Sequence, residues 1–279
     1  MTDTATATGG ATPETATRPG RGRSLQSPLL GVLGIAGFLG IWEVACRLGL
    51  VDSTYLPPAS VVLRRAAQNL GEGEFWSAVG HTMLGWALGL LIAAVSAIVL
   101  GLVIGSSGFL RAATHSTIEF LRPIPSVALI PLAVLVFGTS LQSTLLLVVY
   151  ASFWQILIQV LYGVGDVDPV ADDTARSYGL GTLARVRYLV WPTALPYVMT
   201  GLRLGAAVAL ILAITGELVI GGGGLGKQIA LAQSGGAVPE MYSLILAAGL
   251  IGVLINLVAR LVERRVLAWH VSVRGETAA

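Results

Sequence analysis

Charge is scarce in this chain of 279 residues. Asp, Glu, Lys and Arg together make up 11% of it, against about 25% in soluble globular proteins, and the mean hydropathy is +0.79. Too few charges to coat a soluble globule imply a membrane protein. A net charge of +2 spread over 17 basic residues gives no reason to expect nucleic acid as a partner. Lysine is nearly missing: Lys227 stands alone among arginines. A single cysteine, Cys46, excludes an internal disulfide framework and a Cys-based metal site. Glu43 occupies the place where a lipid-attachment signal needs an aliphatic residue, so Cys46 reads as a buried thiol in an apolar helix. His81, His115 and His270 lie far apart without metal-ligand spacing, and interfacial roles are expected for them. No nucleophile–base pair, zinc-helix motif or intramembrane protease signature occurs. The expectation is a non-catalytic chain without a cofactor of its own.

Long apolar runs are what the chain does have. Residues 1–24, rich in Thr, Ala, Gly and Pro, carry no apolar periodicity and read as a disordered tail. Pro28 to Leu50 is about the ~20 residues a membrane helix needs, longer than the apolar part of a signal peptide. Glycines 31, 34, 37 and 40 line one face of this first span and allow close packing. After it, 52–75 form a polar excursion in which Pro57–Pro58 introduce a short amphipathic helix. Span two, Trp76 to Ile104, carries Gly85/Gly89 and Gly101/Gly105 as small-residue pairs.

Span three, Arg111 to Phe137, is interrupted by Arg122-Pro123-Ile124-Pro125. Two prolines remove two helical N–H donors and force a break. At membrane depth a break survives only where protein or water satisfies the freed backbone. Span four follows Gly138–Gln142 and ends near Val164; span five covers Tyr197–Val219 and span six Tyr242–Val262. A Gly-rich loop, 220–240, joins the last two and holds a possible helix at Leu225–Gln233.

Between spans four and five lies the longest polar interruption, 166–196. Asp168 can cap a helix that begins at Pro169, where a missing N–H costs nothing. Asp172 and Arg176 stand four apart and can pair. Gly179 ends the helix as a left-handed residue would. Thr182 can then cap a second helix, which the sequence stops at Trp191–Pro192. The product is a helix–turn–helix elbow with an exposed tip.

This elbow resembles the cytoplasmic loop of permease subunits in ATP-binding-cassette (ABC) importers. That family's pattern is E-A-A, three residues, Gly, nine residues, I-x-L-P. Here it reads Asp173-Thr174-Ala175, Gly179, then Leu189-x-Trp191-Pro192, with the spacing kept and Asp replacing Glu. The stretches FLRPIPSVALIPLAVLVFG (120–138) and PTALPYVMTGLRLG (192–205) resemble the nitrate/sulfonate/taurine branch. The likeness covers roughly 75 to 270. It implies an all-α integral membrane protein with six transmembrane helices, the type I importer permease fold. The first helix and excursion (25–74) would precede the transporter domain proper (75–270), with a short tail at 271–279. It further implies a second permease copy, separate cytoplasmic ATPase subunits that bind ATP and magnesium, and an extracytoplasmic solute-binding protein. Asp173, Thr174, Ala175, Arg176, Gly179 and Pro192 would be the ATPase-coupling residues, and the solute a small anion of the sulfonate, taurine or nitrate type.

Arginine placement gives an orientation. Arg18, Arg21, Arg23, Arg111, Arg176, Arg185, Arg187, Arg264, Arg265 and Arg274 fall on one side of a six-span arrangement, and only Arg64, Arg65 and Lys227 on the other. The positive-inside bias then puts both termini and the elbow in the cytoplasm of a bacterial plasma membrane. Gly221–Lys227, GGGGLGK, formally fits a phosphate-binding loop, but Gln228 follows where Ser or Thr is needed, and a membrane helix precedes it. A flexible outer loop that gates or docks a binding protein is expected instead.

Four residues are candidates for the translocation pathway: Arg122, Pro123, Pro125 and Glu217. A charge such as Arg122 near the bilayer midplane must be paired or reach water; Glu119, one turn earlier, could neutralise it. Glu217 could bond the glycine loop or take part in gating. Glu43 and Arg47 read as a self-neutralising pair, and Arg203 as a structural residue reaching the interface. The rival reading is a secondary transporter or channel acting without an ATPase, which would be expected to show paired ionisable groups or an inverted repeat.

Overall fold

The computed structural model describes residues 26–269, so the tail expected at 1–24, His270 and the segment 271–279 lie outside the described residues. Its described residues are helices and short connections. Five helices are long and apolar enough to cross a membrane, and a bent pair makes a sixth span. They are α1 (Gln26–Arg47), α3 (Gly73–Gly105), α6 (Leu141–Gly165), α9 (Trp191–Ile220) and α11 (Val238–Val266), with α4 (Gly108–Leu121) and α5 (Ile130–Phe137) sharing the broken span.

The core is a three-helix slab of α3, α6 and α9. Its packing follows from glycine placement. A Cβ on Gly101 would come within 2.6 Å of Val160 Cγ1, and one on Gly105 within 2.6 Å of Val164 Cγ1. Gly89 meets Val148 in the same way. The offset along the chain is identical in all three contacts, so α3 and α6 run parallel and in register. On the other side of α6, Gly163 takes the backbone of Ala194, Gly201 takes Gln159 and Ile156, and Gly216 takes Thr144. These contacts run in the opposite sense, so α9 is antiparallel to α6. Leu147, Val148, Ile156, Leu157, Val160, Ala209 and Ala213 fill the slab. Without a hydrophobic drive between helices in lipid, such close approach is what holds spans together.

The outer helices are attached by polar contacts. The amphipathic α2 (Ala59–Asn69) forms as expected after Pro57–Pro58. It lies against α11, where Arg65 pairs with Glu240 and Asn69 donates to Ser243 Oγ at 3.0 Å. Hydrogen bonding to Glu240 raises the Arg65 pKa above its usual value. Glu43 does pair with Arg47 (2.7 Å), and it also accepts from the Ser60 backbone N–H at 2.9 Å, tying α1 to the first turn of α2. Cys46 is buried, its thiol 3.9 Å from the Pro57 carbonyl. In the loop between them, Asp52 accepts from the Thr54 N–H at 2.8 Å, and that bond lowers its pKa. Glycines 31, 34, 37 and 40 meet nothing within 4 Å among the described residues, so none of these packs against the small-residue face of α1.

Span three breaks where the prolines require it. Its halves meet at 81°, joined through a 3-10 turn at Ser126–Leu129. Pro125 cannot donate to the Leu121 carbonyl as a helical residue would. Tyr150 Oη, at 2.6 Å, and the Ile124 N–H, at 3.2 Å, donate to it instead. Protein thus satisfies the backbone that the proline frees.

Candidate functional site: elbow, cleft and outer loop

The elbow is built as its sequence dictates through its first half. Asp168 accepts from the Val170 N–H at 2.8 Å and caps α7 (Pro169–Ser177). Gly179, at φ +77°, closes it. The Leu180 N–H reaches the Ala175 carbonyl at 3.0 Å and the Gly179 N–H reaches Arg176 at 2.9 Å, a paired C-terminal cap of the Schellman type. Asp172 pairs with Arg176 at 2.7 Å and also with Arg185 at 3.2 Å. That second contact joins the two arms of the elbow, and no local spacing rule points to it.

The second arm differs from expectation in two ways. Thr182 is not the cap of α8 (Thr182–Arg185); Gly181 holds that place, without a side-chain bond. Nor does the helix stop at Trp191–Pro192. Val186–Val190 form a π-turn, and helix continues from Thr182 to Ile220. A proline disrupts a helix through its missing N–H and through the clash of its ring with the carbonyl four residues back. The π-turn shifts the hydrogen-bond ladder to wider spacing just ahead of Pro192, and the proline is absorbed in the first turn of α9.

Around the elbow tip, side chains that would normally be covered stand in the open. Val170, Tyr178, Leu183 and Tyr188 are 67 to 83% exposed. Asp173, Thr174, Arg176 and Gly179 are exposed beside them, Ala175 is half-buried, and Pro192 sits behind at the start of α9. A mixed surface of aromatic, aliphatic and charged groups is the kind that a protein partner covers.

Next to the elbow, a cleft of about 1130 Å³ opens between α4 on one wall and α6 and α9 on the other. Arg111, His115, Glu119, Arg122 and Pro123 line the first wall, and Gln155, Tyr162, Asp166 and Tyr197 the second. At its base Tyr197 Oη donates to Asp166 at 3.0 Å. The structure therefore brings Arg122 and Pro123 onto a large cleft of mixed polar and apolar lining. It does not bring Pro125 or Glu217 there. The expected Glu119–Arg122 pair is not formed either; Glu119 lies 3.5 Å from His115 Nδ1.

Glu217 belongs to the opposite end of the molecule. It is buried, and its Oε2 accepts from Thr82 Oγ1 at 2.8 Å and from the Gly226 N–H at 3.0 Å. Thr82 in turn accepts from the Leu225 N–H at 2.9 Å. The glycine loop expected to be flexible is thus pinned to α3 and α9. A Cβ on Gly224 would collide with the Glu217 carboxylate, and Gly224 has φ +106° besides. The helix that follows, α10 (Leu225–Ser234), is where the sequence indicated. Its first N–H groups, which a phosphate would require, are already taken by Glu217 and Thr82. Arg203 is held by Glu263 at 3.1 Å, the structural role foreseen for it.

Residues 97–268 match the family model described as binding-protein-dependent transport system inner membrane component. A taurine transport system permease protein of Escherichia coli K12 is 29% identical over 246 residues, spanning 86% of this chain and 90% of that one. A putative aliphatic sulfonates transport permease protein of Bacillus subtilis is 27% identical over 260 residues, 93% and 94% of the two chains. Among solved structures, a chain of the methionine ABC transporter MetNI in an inward-facing conformation superposes with a TM-score of 0.60 at 18% identity. It covers 68% of this chain and 94% of that one, a likeness of fold.

Proposed function

Because the chain belongs to the family of binding-protein-dependent transport system inner membrane components, we propose that it forms one half of the membrane pathway of an ABC importer for a small anion. Two copies enclose the pathway, cytoplasmic ATPase subunits grip the elbows, and an extracytoplasmic protein delivers the solute. The chain itself is not an enzyme and holds no cofactor; ATP and magnesium belong to the ATPase. Both termini and the elbow face the cytoplasm, as the arginine distribution requires. One observation carries this reading above the rest: the second arm of the exposed elbow runs without a break into α9, from Thr182 to Ile220, and the Asp172–Arg185 contact ties the first arm to it. A partner that grips Asp173, Thr174, Arg176 and the surrounding apolar groups therefore holds a membrane span by its end. Its binding energy can bias the span between two arrangements.

The solute class rests on the likeness to taurine and sulfonate permeases and on Arg122. Its guanidinium lies on the cleft and has no hydrogen-bond or ion-pair partner among the described residues. An unpaired cation on an open cleft inside a membrane protein attracts anions. Uptake should cease when cells are depleted of ATP while their proton gradient is maintained. Uptake that persists would establish the secondary-transporter alternative. Arg122→Gln, which keeps length and some hydrogen bonding, should lower anion uptake about tenfold or more, with the complex still assembled. Normal uptake with normal ATPase stimulation would make Arg122 structural.

A further inference from the structure

Three side chains on the α4 wall of the cleft form a set that the transport reading leaves unexplained. Glu119 is the one acid of α4. Around the helix, His115 and Arg122 lie on the same side of it, at about 40° and 60°, one a turn before it and the other a turn after. Both can therefore be reached by its carboxylate through a change of rotamer, at the i,i−4 and i,i+3 spacings that allow side-chain contact. In the structure the carboxylate is with His115, at 3.5 Å, and Arg122 is left without a partner among the described residues. The other charged groups on the cleft are engaged elsewhere. Arg111 donates to the Gly105 carbonyl at 2.7 Å, and Asp166 accepts from Tyr197 Oη. Only Glu119 faces a choice between two partners.

We propose that Glu119 is a mobile counter-ion for the cleft. Held on His115, it leaves Arg122 open to an anion; turned to Arg122, it competes with that anion and displaces it. His115 is then a positioning residue, acting on the solute only through Glu119. This inference rests on the reading of the cleft as the anion pathway. It adds a release step to it, because an Arg that held its anion with no competitor would slow delivery to the far side. Both arrangements are open to Glu119, which is exposed in the cleft with His115, each side chain at least 65% accessible. Neither partner is locked in place by packing.

The test uses the purified complex and phenylglyoxal, which attacks unpaired guanidinium groups, with the adduct at Arg122 quantified by mass spectrometry of its peptide. Arg64, exposed on α2, serves as the internal reference for an intact fold. His115→Ala should slow modification of Arg122 several-fold, because Glu119 loses its alternative partner. Glu119→Gln in the same chain should restore the rate, and His115→Gln, which keeps a donor toward Glu119, should behave as the unaltered protein. A rate unchanged in His115→Ala, or one slowed equally with and without Glu119→Gln, overturns the proposal. Protection of Arg122 by ethanesulfonate, with nitrate in parallel, completes it. Glu119→Gln should lower the half-protecting concentration several-fold, and His115→Ala should raise it; equal values in all three proteins overturn the release step. Absence of protection in the unaltered complex would instead refute the pathway reading of Arg122, a separate outcome from failure of the His115–Glu119 pattern.

Discussion

Glu217 is the residue on which most of the outer end depends. Its carboxylate satisfies a buried hydroxyl and a buried backbone N–H at once, and through Thr82 it fixes a second N–H, that of Leu225. Leaving a buried donor unsatisfied costs about 1–3 kcal/mol. Glu217→Ala should accordingly speed amide exchange at Gly226 roughly thirtyfold, the equivalent of about 2 kcal/mol of local stability. Glu217→Gln can present an amide oxygen to both donors and should lose about half of that, neutral acceptors being weaker than charged ones. Exchange at Gly226 that is the same in Glu217→Ala and the unaltered chain would remove the carboxylate as the anchor. The sequence showed that an acid preceded a glycine run and that the two could bond. It could not show that Thr82, far away in the chain, would complete the arrangement. Nor could it show Glu119 choosing His115 over Arg122, because both lie within one helical turn and spacing rules admit either.

At the level of elements, local grammar was readable wherever a cap, a proline or a glycine sets the backbone. The Asp168 cap, the Pro169 start, the left-handed Gly179, the break at Pro123–Pro125 and the helix after Gly224 all stand where residue chemistry puts them. Thr182, whose place as cap Gly181 takes, and Pro192 were the exceptions. A proline near a helix start can be absorbed if the ladder before it widens, and five residues of π-turn are not visible in hydrophobic periodicity. The elbow offers the sharpest test at this scale. Gly179→Val forces a β-branched residue into a left-handed conformation, at a cost of roughly 1–2 kcal/mol. It also opens the Leu180–Ala175 and Gly179–Arg176 bonds that set the angle between the arms. No side chain crowds Gly179 within 4 Å, so the effect is one of backbone conformation rather than collision. Anion uptake should fall about tenfold, or co-purification of the ATPase should weaken, while the permease still inserts. Unchanged uptake together with unchanged co-purification would exclude the elbow from coupling.

For the molecule as a whole, the number and order of spans were legible because lipid demands long apolar helices and tolerates little else. Which spans touch was less so. The small-residue pairs on α3 do mark contacts with α6, yet the equally regular glycines of α1 meet nothing within 4 Å among the described residues. Periodicity identifies a face that can be approached, not what approaches it. Orientation is open to direct measurement. A reporter active only outside the cell should be silent when fused after Arg274 and active when placed within 222–240. The reverse pattern would invert the arrangement and place the elbow out of reach of any ATP-consuming partner.

The unbroken passage from the elbow into α9 has a mechanical consequence. At about 1.5 Å per residue, the helix from Thr182 to Ile220 is a rod nearly 60 Å long. One tip lies at the elbow, and the other carries Glu217. Pivoting by 5° about its midpoint, such a rod carries each tip roughly 2.5 Å, in opposite directions. That is close to the length of the hydrogen bonds between Glu217, Thr82 and Gly226. A small stroke at one end therefore arrives at the other as a displacement large enough to open a latch. The π-turn at Val186–Val190 and Pro196 both lie toward the elbow end of this rod, so their stiffness would set how much of a stroke applied there is delivered.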